Sequence, residues 1–382
     1  MTFQPGTIQE LCAILAEANG AYTLRPLRLL PRGGGTKPAL SMPAGDDVQV
    51  IEVSGLSGML EYQPGEFTFT ALAGTRLSEI AATLAGFGQY LPFDPLLADK
   101  GATLGGTVAA NAAGPGRYHY GGVRDFLIGV RYANAEGQLI RGGGKVVKNA
   151  AGFDLPKLMV GSLGGLGVLV ELSFKVFPHP PISATLQHRY PNLEEALAAM
   201  RQASAARLDL DALDLEILPD GCLLWARIGG LEQALPARLE RLCAVLEGCD
   251  VLPEAQAIAG WQAVCQFAWV PYGWSLVKIP LTASRIPALE AALARRHCLR
   301  RYSAGGQVAW VAQEEPPASL HETLVSQGLN GLAYFGPPGQ PRQGLHQGGS
   351  FYRRVKSAID PANRFIADAQ RLALADAAVR EA

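Results

Sequence analysis

The feature that most constrains this chain is a set of three glycine-rich segments in its first half. They read "LLPRGGGTKPAL" at residues 29–40, "GATLGGTVAANAAGPGRYHYGG" at 101–122 and "GGGKVVKNAAGFDLPKLMVGSLGGLGVLVE" at 142–171. In the second segment twelve of the twenty-two residues are Gly or Ala, so it supplies almost no side-chain core of its own. Glycine lets the backbone approach a bound group closely and point successive N–H groups into one concavity. The three segments therefore predict loops that surround a bound molecule.

Each segment also has a plainer interpretation. The first segment fits a tight turn, and "GGTVAANAAG" in the second fits a small-residue helix packed against a sheet. The third contains "GGGK", but Lys145 is followed by Val where a phosphate loop needs Ser or Thr, so we exclude a Walker site. No G-x-G-x-x-G stretch follows a strand and opens a helix, so the sequence gives no support to a Rossmann dinucleotide site.

Composition excludes several classes of protein. The 382 residues include 33 Lys and Arg against 34 Asp and Glu, a balance that argues against a nucleic-acid partner. The longest uncharged apolar run, residues 158–170, is interrupted by four glycines and is shorter than the ~20 residues of a spanning helix. The first twenty residues lack a basic stretch followed by an apolar run, so we expect no secretion signal. We expect a cytoplasmic location, with contact to the inner membrane only through partners.

Cysteine and histidine give no metal site. The six cysteines are scattered without a C-x-x-C pair, so we interpret them as small apolar residues in a reducing compartment. No two of the six histidines have metal-ligand spacing, and no iron–sulfur or zinc pattern occurs. We therefore predict no metal.

The chain divides into two halves with different patterns. Of the 44 glycines, 29 lie in residues 1–181, and a proline cluster at 177–183 has the composition of a linker. The first half mixes strands and helices without regular alternation, which favours an α+β fold. After residue 182 the order β, α, β, β, α occurs twice, which predicts a cap built of ferredoxin-like units. We predict domains at 1–181 and 182–345, with a C-terminal helical segment at 346–382 that returns to the first domain.

The three segments together resemble one known family. "PRGGGTK", "LPFDP" followed by "GATLGGTVAANAAGPGRYHYGG", and "VKNAAGFDLPKLMVGSLGGLGVLVE" resemble flavoproteins of the vanillyl-alcohol oxidase/p-cresol methylhydroxylase (PCMH) type. Within that family these sequence stretches are most similar to the FAD-binding subunits of bacterial glycolate oxidases. The resemblance covers residues 1–180. Beyond them it depends on the stretch "KSAIDPANRF" near the C-terminus. It implies a two-subdomain PCMH-type FAD-binding domain, with FAD extended between the subdomains and held largely by backbone groups.

The resemblance also implies which residues contact the cofactor. The first segment would bind the pyrophosphate, the second would line the flavin and ribityl part, and the third would lie near the adenine. The implied cofactor-binding residues are Arg32, Gly33, Gly34, Gly35, Thr36, Lys37, Pro92, Gly101, Ala102, Thr103, Gly105, Gly106, Asn111, Gly114, Tyr120, Gly121, Gly161, Gly165 and Val168. Family members with covalent flavin carry His in the first loop or Cys in the second. This chain has Lys37 and no Cys at 101–122, so we expect non-covalent FAD.

The catalytic groups are not identified by any motif. Related 2-hydroxy-acid dehydrogenases carry "HGDGN" and "EHG" motifs in the cap, and neither occurs here. Oxidation of a 2-hydroxy acid needs a cation for the carboxylate and a base for the hydroxyl proton. The catalytic residues stay unknown; the candidates for such a role are Lys278, Arg353, Arg354 and Tyr352. The stretch "YRRVK" that holds three of them also fits a solvated helix face.

Three functions follow from this reasoning. The first is the FAD-binding subunit of a complex like glycolate oxidase or dehydrogenase, which oxidises a small 2-hydroxy acid to a 2-oxo acid. Its implied partners are a larger catalytic flavin subunit and an iron–sulfur subunit. The second is a non-redox stabilising subunit with a vestigial nucleotide cradle. The third is a stand-alone FAD oxidoreductase that acts on another alcohol. The sequence leaves open whether this chain turns over substrate alone.

Overall fold

A computed structural model describes residues 2–20, 27–41, 48–144, 153–339 and 341–366. The middle of the third glycine-rich segment, including Lys145, lies outside the described residues. The fold is mixed α/β. The helices are α1 (Ile8–Gly20), α2 (Leu77–Ala85), α3 (Leu104–Ala110), α4 (Arg117–Tyr120), α5 (Val123–Phe126), α6 (Leu155–Met159), α7 (Leu193–Ala205), α8 (Leu235–Val245), α9 (Glu254–Cys265), α10 (Ile286–Leu293), α11 (His321–Ser326) and α12 (Gly349–Ile359).

Residues 2–178, here called the first lobe, form two main sheets. A parallel sheet of order β1-β3-β2 and an antiparallel sheet of order β4-β5-β9-β7-β8 lie in this lobe, and β6 pairs with β10. The strands are β1 (Thr2–Phe3), β2 (Arg28–Arg32), β3 (Val48–Glu52), β4 (Met59–Gln63), β5 (Thr68–Leu72), β6 (Gln89–Tyr90), β7 (Leu127–Ala133), β8 (Leu139–Gly143), β9 (Val168–Lys175) and β10 (Phe177–Pro178). The alternating pattern of "LIGVRYANAEGQLIRGG" predicts a hairpin, which β7 and β8 form.

Residues 182–344, here called the second lobe, form one antiparallel sheet of order β14-β11-β13-β12-β16-β17-β15-β18-β19. Its strands are β11 (Ile182–Tyr190), β12 (Ala212–Leu218), β13 (Gly221–Gly230), β14 (Asp250–Val251), β15 (Ser275–Pro280), β16 (Cys298–Ser303), β17 (Val308–Gln313), β18 (Asn330–Phe335) and β19 (Arg342–Gly344). The order β, α, β, β, α predicted from the sequence occurs twice, and pairing of β12 with β16 joins the two units. Helix α9 between the units was not predicted.

The two lobes share one hydrophobic core. Phe93 and Phe174 of the first lobe belong to the same buried cluster as Phe267, Trp310 and Tyr334 of the second. Because burial of large aromatic side chains contributes strongly to stability, this cluster holds the lobes together.

The C-terminal segment returns to the first lobe. Phe365 forms a parallel bridge with Leu29 of β2, beside the strand that leads into the first glycine-rich loop. From α12, the Lys356 ammonium donates to the carbonyl oxygen of Gly165 at 2.5 Å and to the Asp360 carboxylate at 2.6 Å. The guanidinium of Arg364 donates to the Ala135 carbonyl oxygen at 2.6 Å. These contacts tie residues 356–366 to two of the glycine-rich segments.

Two interpretations of the sequence are wrong in part. Cys243 and Cys249 form a disulfide across the turn that follows α8, where Gly248 has φ +123° and brings the two Cα atoms to 5.3 Å. Spacing alone did not reveal that turn. The solvated-face interpretation of "YRRVK" fails for Tyr352 and Lys356, which are buried. No helix in the described ranges is both long and apolar enough to cross a membrane.

Candidate functional site

A cleft in the first lobe brings parts of all three glycine-rich segments together. One wall is the loop that follows β2, the floor is α3, and Leu163 from the third segment closes the far end. The lining residues are Leu30, Pro31, Arg32, Gly33, Gly34, Gly35, Thr36, Lys37, Leu40, Ser41, Thr103, Gly106, Ala109, Ala110 and Leu163. Residues of the first, second and third glycine-rich segments thus line one cleft, as the sequence predicted.

The loop after β2 presents unpaired backbone donors. The amides of Gly34, Gly35 and Thr36 donate a hydrogen bond to no other described residue. Gly35 has φ +64°, and a Cβ built on it would meet no atom within 4 Å, so the loop is open on that side. Consecutive free N–H groups in such a turn form a concavity that binds phosphate oxygens. These donors fit a pyrophosphate.

Close packing leaves no room for a side chain at Gly33 or Gly34. A Cβ on Gly34 would lie 2.0 Å from the carbonyl oxygen of Gly101, and one on Gly33 would lie 2.4 Å from Thr103 Oγ1. The first loop therefore packs directly on the second segment, and Gly101 and Ala102 lie behind the lining. Arg32 forms an ion pair with Glu52, so its charge is already partly neutralised.

Helix α3 supplies a small-residue floor. Thr103 Oγ1 accepts from the Gly106 amide at 3.2 Å, while the amides of Leu104 and Gly105 donate to backbone oxygens of Thr75 and Ala73. The donors at the start of the helix are thus used within the fold. Gly105 packs against Ala73, which agrees with the packed-helix interpretation, whereas Gly106 faces the cleft.

Several other predicted residues lie beyond the cleft lining. Pro92, Gly114 and Gly121 belong to loops that pack on one another past the end of α3, and the Gly114 amide donates to Asp94 O. Tyr120 donates from its hydroxyl to Asp211 Oδ1 at 3.0 Å. Val168 is fully buried in the core of the first lobe. The roles implied for these residues stay predictions.

Gly161 and Gly165 lie in the loop beneath α3. The Gly161 amide donates to the carbonyl oxygen of Val108, and a Cβ on Gly161 would lie 3.8 Å from the Cβ of Asn111. The carbonyl oxygen of Gly165 accepts from Lys356. This loop therefore supports α3 from below, next to Leu163 in the cleft wall.

Lys278 of the second lobe contacts the end of α3, where the charges of Arg117 and Lys37 act on it. Lys37 ends the first loop and Arg117 begins α4, while Lys278 lies on β15. Lys278 is 6% exposed and Lys37 is 8% exposed. The Lys278 ammonium donates to the carbonyl oxygen of Asn111 at 2.9 Å and lies 5.9 Å from the ring centres of Trp310 and Tyr334.

Burial lowers the pKa values of all three cations. Burial, the charge of Arg117 and the charge of Lys37 lower the pKa of Lys278 to about 7. Burial lowers the pKa of Lys37 to about 8. Burial also lowers the pKa of Arg117, although Tyr334 and Asp125 act in the opposite direction.

The carboxylate of Asp125 acts on Arg117 without forming an ion pair with it. In the ranges that the structure describes, none of Lys37, Arg117 and Lys278 forms an ion pair. Sequence reasoning named Lys37 and Lys278 separately and missed Arg117. The available signal was weak: Arg117 is the one basic residue other than His119 in the second glycine-rich segment.

The remaining catalytic candidates lie elsewhere. Arg353, Arg354 and Tyr352 are on α12, where Tyr352 packs into the core and Arg354 is exposed above the ring of Phe351. None of the three lines the cleft described above.

A larger cleft of about 610 Å³ lies at another part of the lobe interface, around Trp261 and Cys265. Its arginine, Arg227, is paired with Asp94 at 2.7 Å and lies over the ring of Trp261. The charge of Arg227 is therefore already matched within the fold.

Comparison with known proteins agrees with the geometry. Residues 1–143 match the family described as FAD binding domain. The chain is 39% identical over 230 residues to glycolate oxidase subunit GlcE of Escherichia coli (strain K12), which covers 60% of this chain and 63% of that protein. It is 32% identical over 205 residues to glycolate oxidase subunit GlcD of Bacillus subtilis (strain 168), which covers 53% and 43%. These matches confirm the predicted resemblance, and the chain spans 43–63% of the length of these two relatives.

Solved structures show the fold over a longer range. A structure of alkyldihydroxyacetonephosphate synthase covers 95% of this chain and 76% of its own, with a TM-score of 0.73 and 15% sequence identity. At that identity the likeness concerns the fold alone. It extends through both lobes.

Proposed function

Because residues 1–143 match the FAD binding domain family, we propose that this chain is the FAD-binding subunit of a complex like glycolate oxidase. It supports the oxidation of a small 2-hydroxy acid to a 2-oxo acid. The observation that carries the proposal is the row of free amides at Gly34, Gly35 and Thr36 in a cleft shared by three glycine-rich segments. FAD is the cofactor, and we propose that it is bound without a covalent link.

The residues of the cleft have distinct roles in this proposal. The three free amides hold phosphate oxygens, and Lys37 at the end of the same loop offsets their charge. The floor of the cleft has only small side chains, so a flat ring system can lie against α3; these residues are Gly106, Ala109 and Ala110. When bound, FAD supplies a two-electron acceptor. The aromatic rings of Trp310 and Tyr334 exclude water from the far side of the cationic cluster.

We further propose that residues 1–181 are the cofactor domain, with residues 182–345 as a ferredoxin-like cap and residues 346–382 as a returning segment. When the four strands of each unit of the second lobe are numbered in chain order, they lie side by side in the order 4-1-3-2. This order supports the cap assignment. The contacts of Lys356 and Arg364 with the first lobe support the last assignment.

The partners are proposed from what the relatives are. Glycolate oxidase subunits GlcE, from one organism, and GlcD, from another, are both similar to this chain, and relatives that are themselves subunits suit a complex. We propose a larger catalytic flavin subunit and an iron–sulfur subunit as partners, reached in the cytoplasm or at the inner membrane.

Anaerobic reduction of the bound flavin tests this function. Flavin absorbance is followed after glycolate or D-lactate is added to the chain alone and to the chain purified with its larger flavin partner. We expect bleaching of this chain's flavin to depend on the partner. Full bleaching of the isolated chain would instead favour a stand-alone oxidoreductase, and a complex that oxidises glycolate with this chain free of flavin would favour the stabilising subunit.

A further inference from the structure

The cleft of about 610 Å³ at the lobe interface has no part in the proposed function. Its walls are the loop that follows β6 in the first lobe, and β11, β13, β14 and α9 in the second lobe. Among the described residues, it shares no lining residue with the cleft at Gly34, Gly35 and Thr36. A cleft of this size can hold a small molecule.

Carboxylates outnumber cations in the lining of this cleft. Among the described residues that line it, the carboxylates are Asp94, Asp99, Asp211 and Glu254, and the one arginine or lysine is Arg227. Arg227 donates to Asp94 Oδ2 at 2.7 Å, whereas the other three carboxylates form no ion pair with a described residue. The cleft therefore has an excess of negative charge, which favours a cation and disfavours an anion.

Asp211 is the most buried of these carboxylates, with 5% of its surface exposed. Its Oδ1 accepts from the Tyr120 hydroxyl at 3.0 Å, but no described residue donates to its Oδ2. Both side-chain hydrogen bonds of Asp94 go to Oδ2, so its Oδ1 is open as well. Burial raises the pKa of Asp211, and the charge of Arg227 opposes that shift. A bound ammonium would act as Arg227 does, and it would supply the missing donor.

Aromatic and aliphatic side chains contribute much of the remaining lining. Trp261 and Tyr90 lie in the walls, and the imidazole of His179 packs on the ring of Tyr90 with 4.9 Å between ring centres. Val251 and Ile258 also line the cleft, and each is 52% exposed. Because a ligand in the cleft can cover this apolar surface, the walls suit a charged group that is carried on an apolar body.

We propose that this cleft binds an organic ammonium ion, a primary amine on an aromatic or aliphatic body. The ammonium donates to the open oxygens of Asp211 and Asp94, and the body lies between α9 and β14. This site is independent of the proposed reaction, because binding of the amine needs neither a residue of the first cleft nor electron transfer.

Calorimetry on the FAD-loaded full chain tests the site with three probes of similar size. Phenethylamine has a charged ammonium at about pH 7, phenethyl alcohol is neutral, and hydrocinnamate is an anion. We expect the amine to bind at least about tenfold more tightly than the alcohol, because only the ammonium forms charge-assisted hydrogen bonds. Hydrocinnamate should not bind, since the carboxylates of the cleft repel it.

Asp211→Asn tests whether the buried carboxylate holds the ammonium. Asparagine keeps the size of the side chain and an acceptor for the Tyr120 hydroxyl, so the fold should be retained. We expect at least about tenfold weaker binding of phenethylamine and unchanged binding of phenethyl alcohol. The matched control is Asp209→Asn, because Asp209 lies in the same segment before β12 but is exposed and outside the lining. It should bind phenethylamine as the unaltered chain does.

A second variant leaves the buried carboxylate in place. Ile258→Lys adds a cation at an exposed position of α9 that lines the cleft, so we expect the chain to fold and to bind phenethylamine severalfold more weakly through charge repulsion. The control is Val325→Lys, at an exposed position of α11 outside the lining, which should not change binding. If Asp211→Asn does not fold, this pair decides.

Four results would overturn the proposal. They are no binding of phenethylamine, equal binding of the amine and the alcohol, equal binding by each variant and its control, and release of FAD as the amine binds. The last result would assign this cleft to the cofactor. None of these measurements depends on reduction of the flavin by glycolate, so the proposed function is tested separately.

Discussion

Gly106 is the residue at which the cleft can be filled with little change to the fold. A Cβ there would meet only Thr103 Oγ1, at 3.1 Å, and a shift of a few tenths of an ångström relieves that contact. We predict that Gly106→Val removes most bound FAD, because the added isopropyl group occupies the floor of the cleft, while the melting temperature changes by only a few degrees. Absorbance after acid release of flavin measures the content.

The control for this variant is Gly65→Val, since a Cβ on Gly65 also meets no obstacle but lies outside the cleft. It should retain full flavin content. Equal flavin content in both variants would show that the cofactor does not lie on α3. Gly34→Val is a poorer test, because its Cβ would strike the Gly101 backbone and displace the second segment.

Lys278 gives a prediction about pH. Its pKa in the folded chain is about 7, against an ordinary value of 10.5. Below pH 7 the lysine is charged in both the folded and the unfolded chain, so the free energy of unfolding is lowered by the full cost of burying a charged ammonium. As pH rises from the folded pKa to the unfolded pKa that cost is relieved, and above 10.5 it is absent. Lys278→Met should therefore raise the melting temperature most at low pH.

The measurement is thermal unfolding of Lys278→Met and of the unaltered chain across this range, without added carboxylate. The stabilisation should shrink steadily above pH 7. A difference in melting temperature that does not vary with pH would contradict the lowered pKa.

At the scale of elements, the returning C-terminal segment depends on one carboxylate. Asp360, which is 1% exposed, accepts from Lys356 Nζ at 2.6 Å and from the amides of Arg364 and Phe365 at 3.0 and 2.9 Å. We predict that Asp360→Asn lowers the free energy of unfolding by about 3–5 kcal/mol, because it leaves a buried ammonium without its counter-charge.

Urea unfolding measures this change against Asp220→Asn. Asp220 pairs with Arg189 at the surface, and its side chain is 74% exposed, so its loss should cost at most about 1 kcal/mol. Similar losses from the two variants would mean that the C-terminal segment is not anchored as described.

The elements also show what the sequence can predict. Strand and helix periods in the second lobe are local, and they predicted the two β, α, β, β, α units correctly but missed β14 and α9 between them. The pairing of β12 with β16 and the disulfide between Cys243 and Cys249 depend on where distant residues meet. A local sequence pattern contains no information about such long-range contacts. The burial of Lys356 was missed for the same reason.

At the scale of the whole molecule, the candidate site depends on how the lobes meet. The three glycine-rich segments could be read from composition and family resemblance, since bare backbone is visible in the sequence. The meeting of Lys278 with Lys37 and Arg117 could not, because it requires β15 of the second lobe to lie against the end of α3. The shared aromatic core and the partly buried pair of Arg227 with Asp94 stabilise that arrangement.

Flavin stoichiometry of the purified full chain is the most direct test of the cleft. We predict that the chain binds one FAD, that acid precipitation releases all of it, and that the protein reloads when excess FAD is added. A correctly folded chain that binds no FAD under these conditions would contradict the account of the three converging loops, and one that keeps its flavin in the precipitate would contradict the non-covalent link.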